Sequence, residues 1–154
     1  MKWFRVLGVA ALTIGVLVPA AGAAEFGVRA GTYNDAEDEF VGVEAAWNTG
    51  AITFNPNIEY ILTEDSDVTA LTGNFDVFYN IGRSTIRPYV GAGLGVLYVD
   101  DDFFGDETEG IVNVIGGVKW ELDFLKPYVQ VKYFRALDSD VEGDDLAFTL
   151  GLRF

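Results

Sequence analysis

Apolar residues alternate with small or polar residues in eight stretches of this chain. The stretches cover Glu25–Asn34, Phe40–Asn48, Ala51–Thr63, Ala70–Ile81, Thr85–Val99, Ile111–Leu122, Leu125–Leu137 and Leu146–Phe154. Because successive side chains of a β-strand point to opposite faces, each stretch is predicted to be a strand with one apolar and one polar face. No segment of convincing length has the helical period. The pattern therefore predicts an all-β protein of eight antiparallel strands.

The two faces differ sharply in chemistry. One face carries only uncharged, mostly apolar residues, among them Phe26, Val43 and Leu150. The opposite face carries many glycines together with polar and charged residues, namely Arg29, Glu44, Asn57, Glu59, Asn74, Asp76, Arg87, Tyr89, Lys119, Glu121, Lys126, Gln130, Lys132, Thr149 and Arg153. A soluble barrel would bury the apolar face, whereas a membrane barrel would turn it outward, so the alternation by itself fits both.

Three further features favour the membrane geometry. Aromatic residues of the apolar face fall near strand ends that chain direction would bring to one rim, namely Phe26, Trp47, Tyr79, Trp120 and Phe154. Membrane barrels carry such aromatic girdles. The polar face is rich in glycine, as the narrow interior of eight strands requires. Short and long connections also alternate, which is typical of an eight-stranded antiparallel up-and-down transmembrane β-barrel.

The connections differ in charge as well as in length. Short turns are predicted at Thr49-Gly50, Gly82-Arg83-Ser84 and Asp123-Phe124, and long connections near Asp35–Glu39, Glu64–Thr69, Asp100–Gly110 and Asp138–Asp145. With their flanking residues, the long connections hold 18 of the 24 acidic residues and no Lys or Arg. Up-and-down strands would place all four at one end, which we assign to the extracellular side.

The N-terminus has the three-part layout of a secretory signal. Lys2 and Arg5 precede an uncharged run over residues 6–18, and small residues follow Pro19. Ala21 and Ala23 fit the A-x-A cleavage rule, so we expect cleavage after Ala23. The alternative, an uncleaved anchor helix, is disfavoured because the run is much shorter than the ~20 residues that span a bilayer. The predicted organisation is a signal peptide over residues 1–23 and one barrel domain over residues 24–154.

One strand resembles a known family. The stretch from Arg87 to Gly95, RPYVGAGLG, is similar to a strand of the small outer-membrane β-barrels related to outer-membrane proteins A, X and W. The stretch from Lys126 to Val131, KPYVQV, looks like a weaker copy, and the last seven residues, FTLGLRF, resemble that family's terminal strand.

The resemblance implies a place in the outer membrane of a Gram-negative cell, among lipid and lipopolysaccharide. In that family a C-terminal aromatic residue is read by the barrel-assembly machinery, so Phe154 is expected to carry this assembly signal. The same residue is also suited to a plain role as a rim aromatic, and the two roles are compatible.

The residues that are missing limit the chemistry. The chain has no His and no Cys, so Ser-His-Asp and Cys-His arrangements and thiolate zinc sites are unavailable. Membrane-barrel enzymes that resemble this chain in architecture depend on a His. We therefore predict no catalytic, cofactor or metal site and no enzymatic activity. The net charge of −14 also makes nucleic acid an unsuitable partner.

Charged residues of the polar face are expected to neutralise one another inside the barrel. The predicted lumen ion-pair network consists of Arg29, Glu44, Glu59, Asp76, Arg87, Lys119, Glu121, Lys132 and Arg153. A catalytic carboxylate pair is the alternative use of Glu44, Glu59, Asp76 and Glu121. We favour the network, because buried charges persist mainly when they are paired.

The acidic connections are candidates for weak, unspecific binding of divalent cations. The segment from Asp100 to Glu107 is not an EF-hand loop, because its fifth position is Phe104 and its twelfth is Ile111. A solvated acidic loop is the simpler interpretation. Phe103 and Phe104 are expected either to pack over the barrel mouth or to offer an apolar anchor to a partner.

Two functions follow from these observations. The favoured one is a structural or surface-interaction barrel that displays acidic loops outside the cell. The alternative is a narrow channel or a conduit for small solutes across the outer membrane. Long charged side chains in a narrow interior count against the alternative. A soluble ligand-carrying barrel is a third class, less favoured than these two.

Overall fold

The computed structural model describes residues 24–64, 68–101, 105–137 and 144–154. The predicted signal peptide, with Ala21 and Ala23, lies outside the described residues, and so do Phe103 and Phe104. Within the described part of the chain, no helix is long and apolar enough to cross a membrane.

Eight antiparallel strands form one closed barrel, as the alternation predicted. They are β1 (Glu25–Tyr33), β2 (Glu39–Thr49), β3 (Ile52–Leu62), β4 (Val68–Asn80), β5 (Ile86–Asp101), β6 (Gly105–Trp120), β7 (Lys126–Ala136) and β8 (Asp144–Arg153). Each strand pairs with its neighbours in sequence, and β1 pairs with β8 to close the barrel. Closure leaves no free sheet edge.

The apolar face lies outside and the charged face inside. Leu94, Val114 and Leu150 are each more than 60% exposed, whereas Arg29 and Glu59 are 3% and 0% exposed. The described outward positions between the two ends of the barrel carry no acidic or basic residue. This burial pattern is the reverse of a water-soluble barrel, and it leaves an apolar belt around the molecule.

The five aromatic residues predicted to share a rim do lie at one end of the barrel. Phe26 is the second residue of β1 and hydrogen-bonds through its backbone with Phe154. Trp47 and Tyr79 lie near the ends of β2 and β4, and Trp120 ends β6. The three predicted short turns lie at the same end. Gly50 and Gly82 have φ of 62° and 78° there, a conformation that glycine adopts without strain.

The prediction of a long connection from Asp100 to Gly110 is wrong. Strand β5 continues to Asp101 and β6 starts at Gly105, with pairs such as Leu97 with Glu109 and Asp100 with Asp106. Acidic residues were interpreted as loop because they break the apolar alternation. Beyond an apolar belt, however, both faces of a hairpin meet water, so the alternation is no longer required.

Proline interrupts one ladder of the barrel. The pairing of β2 with β3 skips Ala45 and Ala46, which face Pro56 and Asn55. Proline has no N–H to donate, and Nδ2 of Asn55 donates to the carbonyl oxygen of Ala45 at 2.9 Å. The side chain of one residue therefore supplies the donor that its neighbour lacks.

Candidate functional site

Most residues of the predicted lumen ion-pair network lie in the barrel interior. At its centre, the Glu59 carboxylate on β3 receives both Nζ hydrogen bonds of Lys132 on β7, at 3.0 Å each. The hydroxyl groups of Tyr33 and Thr72 each donate a hydrogen bond to the same carboxylate at 3.1 Å. Nη2 of Arg29 lies 3.2 Å from Oε1 of Glu59. Glu59 is fully buried. Its charge is thus matched by two cations and two hydroxyl donors.

A second buried carboxylate lies toward the turn end. Glu44 on β2 accepts hydrogen bonds from Nε and Nη2 of Arg153 on β8, at 3.1 and 3.3 Å. Arg29 lies 3.5 Å from it, so its guanidinium stands between Glu44 and Glu59. Nδ2 of Asn55 donates to Glu44 at 2.8 Å. Arg29, Glu44, Glu59, Lys132 and Arg153 therefore form one connected cluster, the central cluster.

Asp76 is held differently from the other predicted members of the network. Within the described residues, no Lys or Arg nitrogen comes within 4.0 Å of its carboxylate. Asn57 donates to one oxygen at 2.9 Å and Asn113 to the other at 3.1 Å. Asn74 links the two amides by further hydrogen bonds at 3.1 and 3.0 Å. Amides, rather than a direct ion pair, solvate this carboxylate.

The remaining predicted residues form a separate cluster at the turn end, the rim cluster. Glu121 pairs with Lys119 at 2.9 Å and with Arg87 at 3.5 Å. Lys126 lies 3.7 Å from Glu121 and also pairs with Glu25. Burial alone would raise the pKa of Glu121, but the hydrogen bond and charge of Lys119, with the charges of Lys126 and Arg87, hold that pKa below its ordinary value. Eight of the nine predicted residues thus fall into two clusters, Asp76 lies in neither, and Lys126 and Glu25 join the second.

Aromatic rings fill the space that inward glycines leave. Tyr128 lies over Gly151 on the next strand, where a Cβ atom would overlap the ring. The same pairing of an inward ring with a glycine recurs for Phe40 with Gly31, Phe78 with Gly91 and Tyr89 with Gly117. The guanidinium of Arg153 lies 4.5 Å from the centre of the Tyr128 ring and 5.8 Å from that of Phe78. The glycines therefore make room for side chains that close the interior.

Two contacts cross the full width of the barrel. Strands β3 and β7 are opposite each other in the closed order of eight, and so are β4 and β8. The pair of Lys132 with Glu59 joins the first two strands, and the contact of Arg153 with Phe78 joins the second two. The interior is therefore bridged at two levels.

The loop end of the interior contains an apolar cluster, which the sequence analysis missed. Tyr33, Phe40 and Ala147 form a buried cluster there, against which Ile61 and Phe134 pack. A cavity of about 270 Å³ lies among the loop-end residues. These side chains occupy inward positions of the period-two pattern. The period of two could therefore have identified them as inward residues. They were missed because the inward face was expected to be polar or small throughout.

Comparison with known proteins adds evidence about the fold. The N-terminal β-barrel domain of OprF from Pseudomonas aeruginosa aligns with a TM-score of 0.70 at 18% identity, over 85% of this chain and 96% of that one. Neisserial surface protein A aligns with a TM-score of 0.68 at 15% identity, over 84% and 94%. The outer-membrane enzyme PagL aligns with a TM-score of 0.57 at 14% identity, over 84% and 98%. No protein-family model and no curated protein sequence matches the chain.

At these identities the likeness concerns the fold. The chain has the fold of the small eight-stranded outer-membrane β-barrels, which confirms the resemblance seen in RPYVGAGLG. One of the three similar structures is that of an enzyme. The fold alone therefore does not assign an activity, and function has to be argued from the residues.

Proposed function

We propose that this protein is an integral barrel of the bacterial outer membrane, without enzymatic activity, that displays acidic hairpins and loops at the cell surface. The apolar belt supports the location. A soluble monomer rarely exposes a contiguous apolar patch above a few hundred Å², whereas lipid covers such a belt favourably. Lipid and lipopolysaccharide would surround the belt, and the barrel-assembly machinery would insert it.

The bridged interior carries the structural part of the proposal. Lys132 and Glu59 meet across the barrel, and Tyr33, Thr72 and Arg29 complete the layer. An ion would have to separate this buried pair to pass, which costs several kcal/mol. A rigid scaffold is therefore better supported than the alternative of a channel or conduit.

The acidic end supports the surface role. Asp35, Glu37, Asp106 and Glu107 are exposed at the loop end, where like charges favour a hydrated surface. The described residues contain no group of three or more acidic side chains placed to hold a metal ion. Contact with divalent cations stays a prediction, in which the loops bind weakly.

Conductance measurements test the scaffold against the channel. We expect the refolded protein in planar lipid bilayers to give no discrete current steps in 0.1 M or 1 M salt, with or without millimolar Mg²⁺. A sixteen-stranded porin, which has an aqueous lumen, is the positive control in the same membranes. Reproducible steps that depend on protein concentration would contradict the scaffold and support the channel.

A further inference from the structure

The loop-end cavity has walls and a floor of different chemistry. Ile61, Ala70, Leu97, Val99, Ile111 and Phe134 form its walls. Thr72 and Lys132 form part of its floor. Below them, the hydrogen bonds of Lys132 and Thr72 to Glu59 block the way into the barrel. The cavity is thus a pocket with one closed end.

Its size and walls suit a small apolar molecule. An apolar cavity of about 150 Å³ stays dry and binds benzene, and this one measures about 270 Å³. In simple proportion, it holds a molecule of about ten to twelve carbon atoms. Typical sites for drug-sized ligands begin near 300 Å³, so large ligands are excluded.

The floor adds one polar preference. An ammonium group has three N–H donors, and the hydrogen bonds that Lys132 makes within the described residues both go to Glu59. An acceptor oxygen at the closed end of the pocket would meet the same ammonium. Ligand carbonyl groups satisfy a buried donor without bringing a new charge.

The mouth selects against anions. Asp38 and Asp145 line the pocket, and Asp145 is fixed there by the backbone N–H groups of Asp35 and Ala36 at 2.8 and 3.1 Å. The whole chain carries a net charge of −14, so a negative ligand is repelled on its way in. From these contacts we infer that the pocket binds a neutral, mainly apolar carbonyl compound of about ten to twelve carbon atoms.

Methyl 2-naphthoate and 2-naphthoate test this inference, because they share one skeleton and differ in charge. The protein is refolded in lipid nanodiscs with ¹³C-labelled isoleucine methyl groups. We expect saturable shifts of the Ile61 and Ile111 methyl signals with the ester, and binding at least tenfold weaker with the acid. Ile86, which is 56% exposed on the outer face, reports partition of the probe into lipid. Absence of saturable shifts at Ile61 and Ile111, or equal binding of the acid, would overturn the inference.

Three variants locate the binding site. Ala70→Leu fills the pocket and should weaken binding of the ester at least tenfold, whereas Ala92→Leu adds the same group on the lipid-facing side and should leave binding unchanged. Phe134→Ala enlarges the pocket and should admit methyl anthracene-2-carboxylate, which the parent excludes. This last variant keeps the test decisive if Ala70→Leu does not fold. Equal binding of the ester by all variants would place its binding site outside this pocket and overturn the inference.

Discussion

At the scale of single residues, Glu59 illustrates how a charge is kept inside a narrow barrel. Its carboxylate is fully buried, yet each oxygen has donors: Lys132 reaches both, and Tyr33 and Thr72 reach one. The cost of taking an ion out of water is offset when geometry and further hydrogen bonds are good. Removing the carboxylate would leave Lys132 and Arg29 buried without that partner.

The central cluster should matter more for stability than the acidic surface does. Glu59→Ala should lower the free energy of unfolding by about 3–5 kcal/mol, the usual cost of breaking a buried ion pair. Glu107→Ala removes an exposed carboxylate of the β5–β6 hairpin and should change it by less than about 0.5 kcal/mol. Urea midpoints in lipid vesicles measure both. Equal midpoints for the two variants would mean that water reaches Glu59 and takes over its pairing.

For Asp76, the sequence predicts the inward position of the side chain, but the neighbouring strands determine its hydrogen-bond partners. Its inward position follows from the period of two. Which group faces it depends on the register of β3, β4 and β6, which brings Asn57, Asn74 and Asn113 around it. A one-residue slip would exchange inward and outward side chains. A single sequence does not reveal that register, so the hydrogen-bond partners of Asp76 were not predictable.

At the scale of strands, the pairing of β2 with β3 depends on a side chain. Pro56 would be unfavourable in a central strand, because it removes a ladder hydrogen bond. Asn55 compensates through its hydrogen bonds to the Ala45 carbonyl and to Glu44. The two adjacent residues should therefore act as a unit.

A double-mutant cycle tests this unit. Asn55→Ala should cost about 1–3 kcal/mol of unfolding free energy, because a carbonyl and a buried carboxylate each lose a donor. In the Pro56→Ala background a backbone N–H is restored, so the cost of Asn55→Ala should fall by at least about 0.5 kcal/mol. Urea unfolding in vesicles of the parent, both single variants and the double variant gives the coupling. Strict additivity would show that Asn55 does not replace the missing donor.

The β5–β6 hairpin marks the limit of pattern analysis at this scale. Its inner part was predicted from alternation, but its outer part, with Asp100 paired to Asp106, was not. Periodicity reports which face is apolar. Where both faces meet water, pairing continues through backbone hydrogen bonds alone, and no side-chain pattern records it.

At the scale of the whole molecule, the two ends of the barrel differ in charge. The turn end carries Arg83 and the rim cluster with Lys126, while the loop end is acidic. Because the strands alternate in direction, the connections at Gly50, Gly82 and Asp123 all lie at the turn end. The molecule therefore has a defined polarity, and a membrane would receive it in one orientation.

Accessibility on intact cells tests that orientation. The chain has no cysteine, so one introduced thiol can be labelled without background. Glu107→Cys should react with a membrane-impermeant maleimide on intact cells, whereas Arg83→Cys should react only after the outer membrane is permeabilised. Both positions are exposed in the fold, which makes them matched probes. The opposite labelling pattern would reverse the proposed topology. If neither cysteine is labelled before the outer membrane is permeabilised, the proposed display at the cell surface is contradicted.

The sequence by itself determined the number of strands, the turns and the face of nearly every strand residue. These follow from local rules, because alternation and turn residues act within a few positions of the chain. Only the tertiary structure decided that Glu59 meets Lys132, that amides surround Asp76 and that the loop end encloses an apolar pocket. Such contacts join β3 to β7 or β4 to β6, and they depend on register and closure of the whole barrel. Local patterns contain no information about the register that decides which side chains meet across the interior.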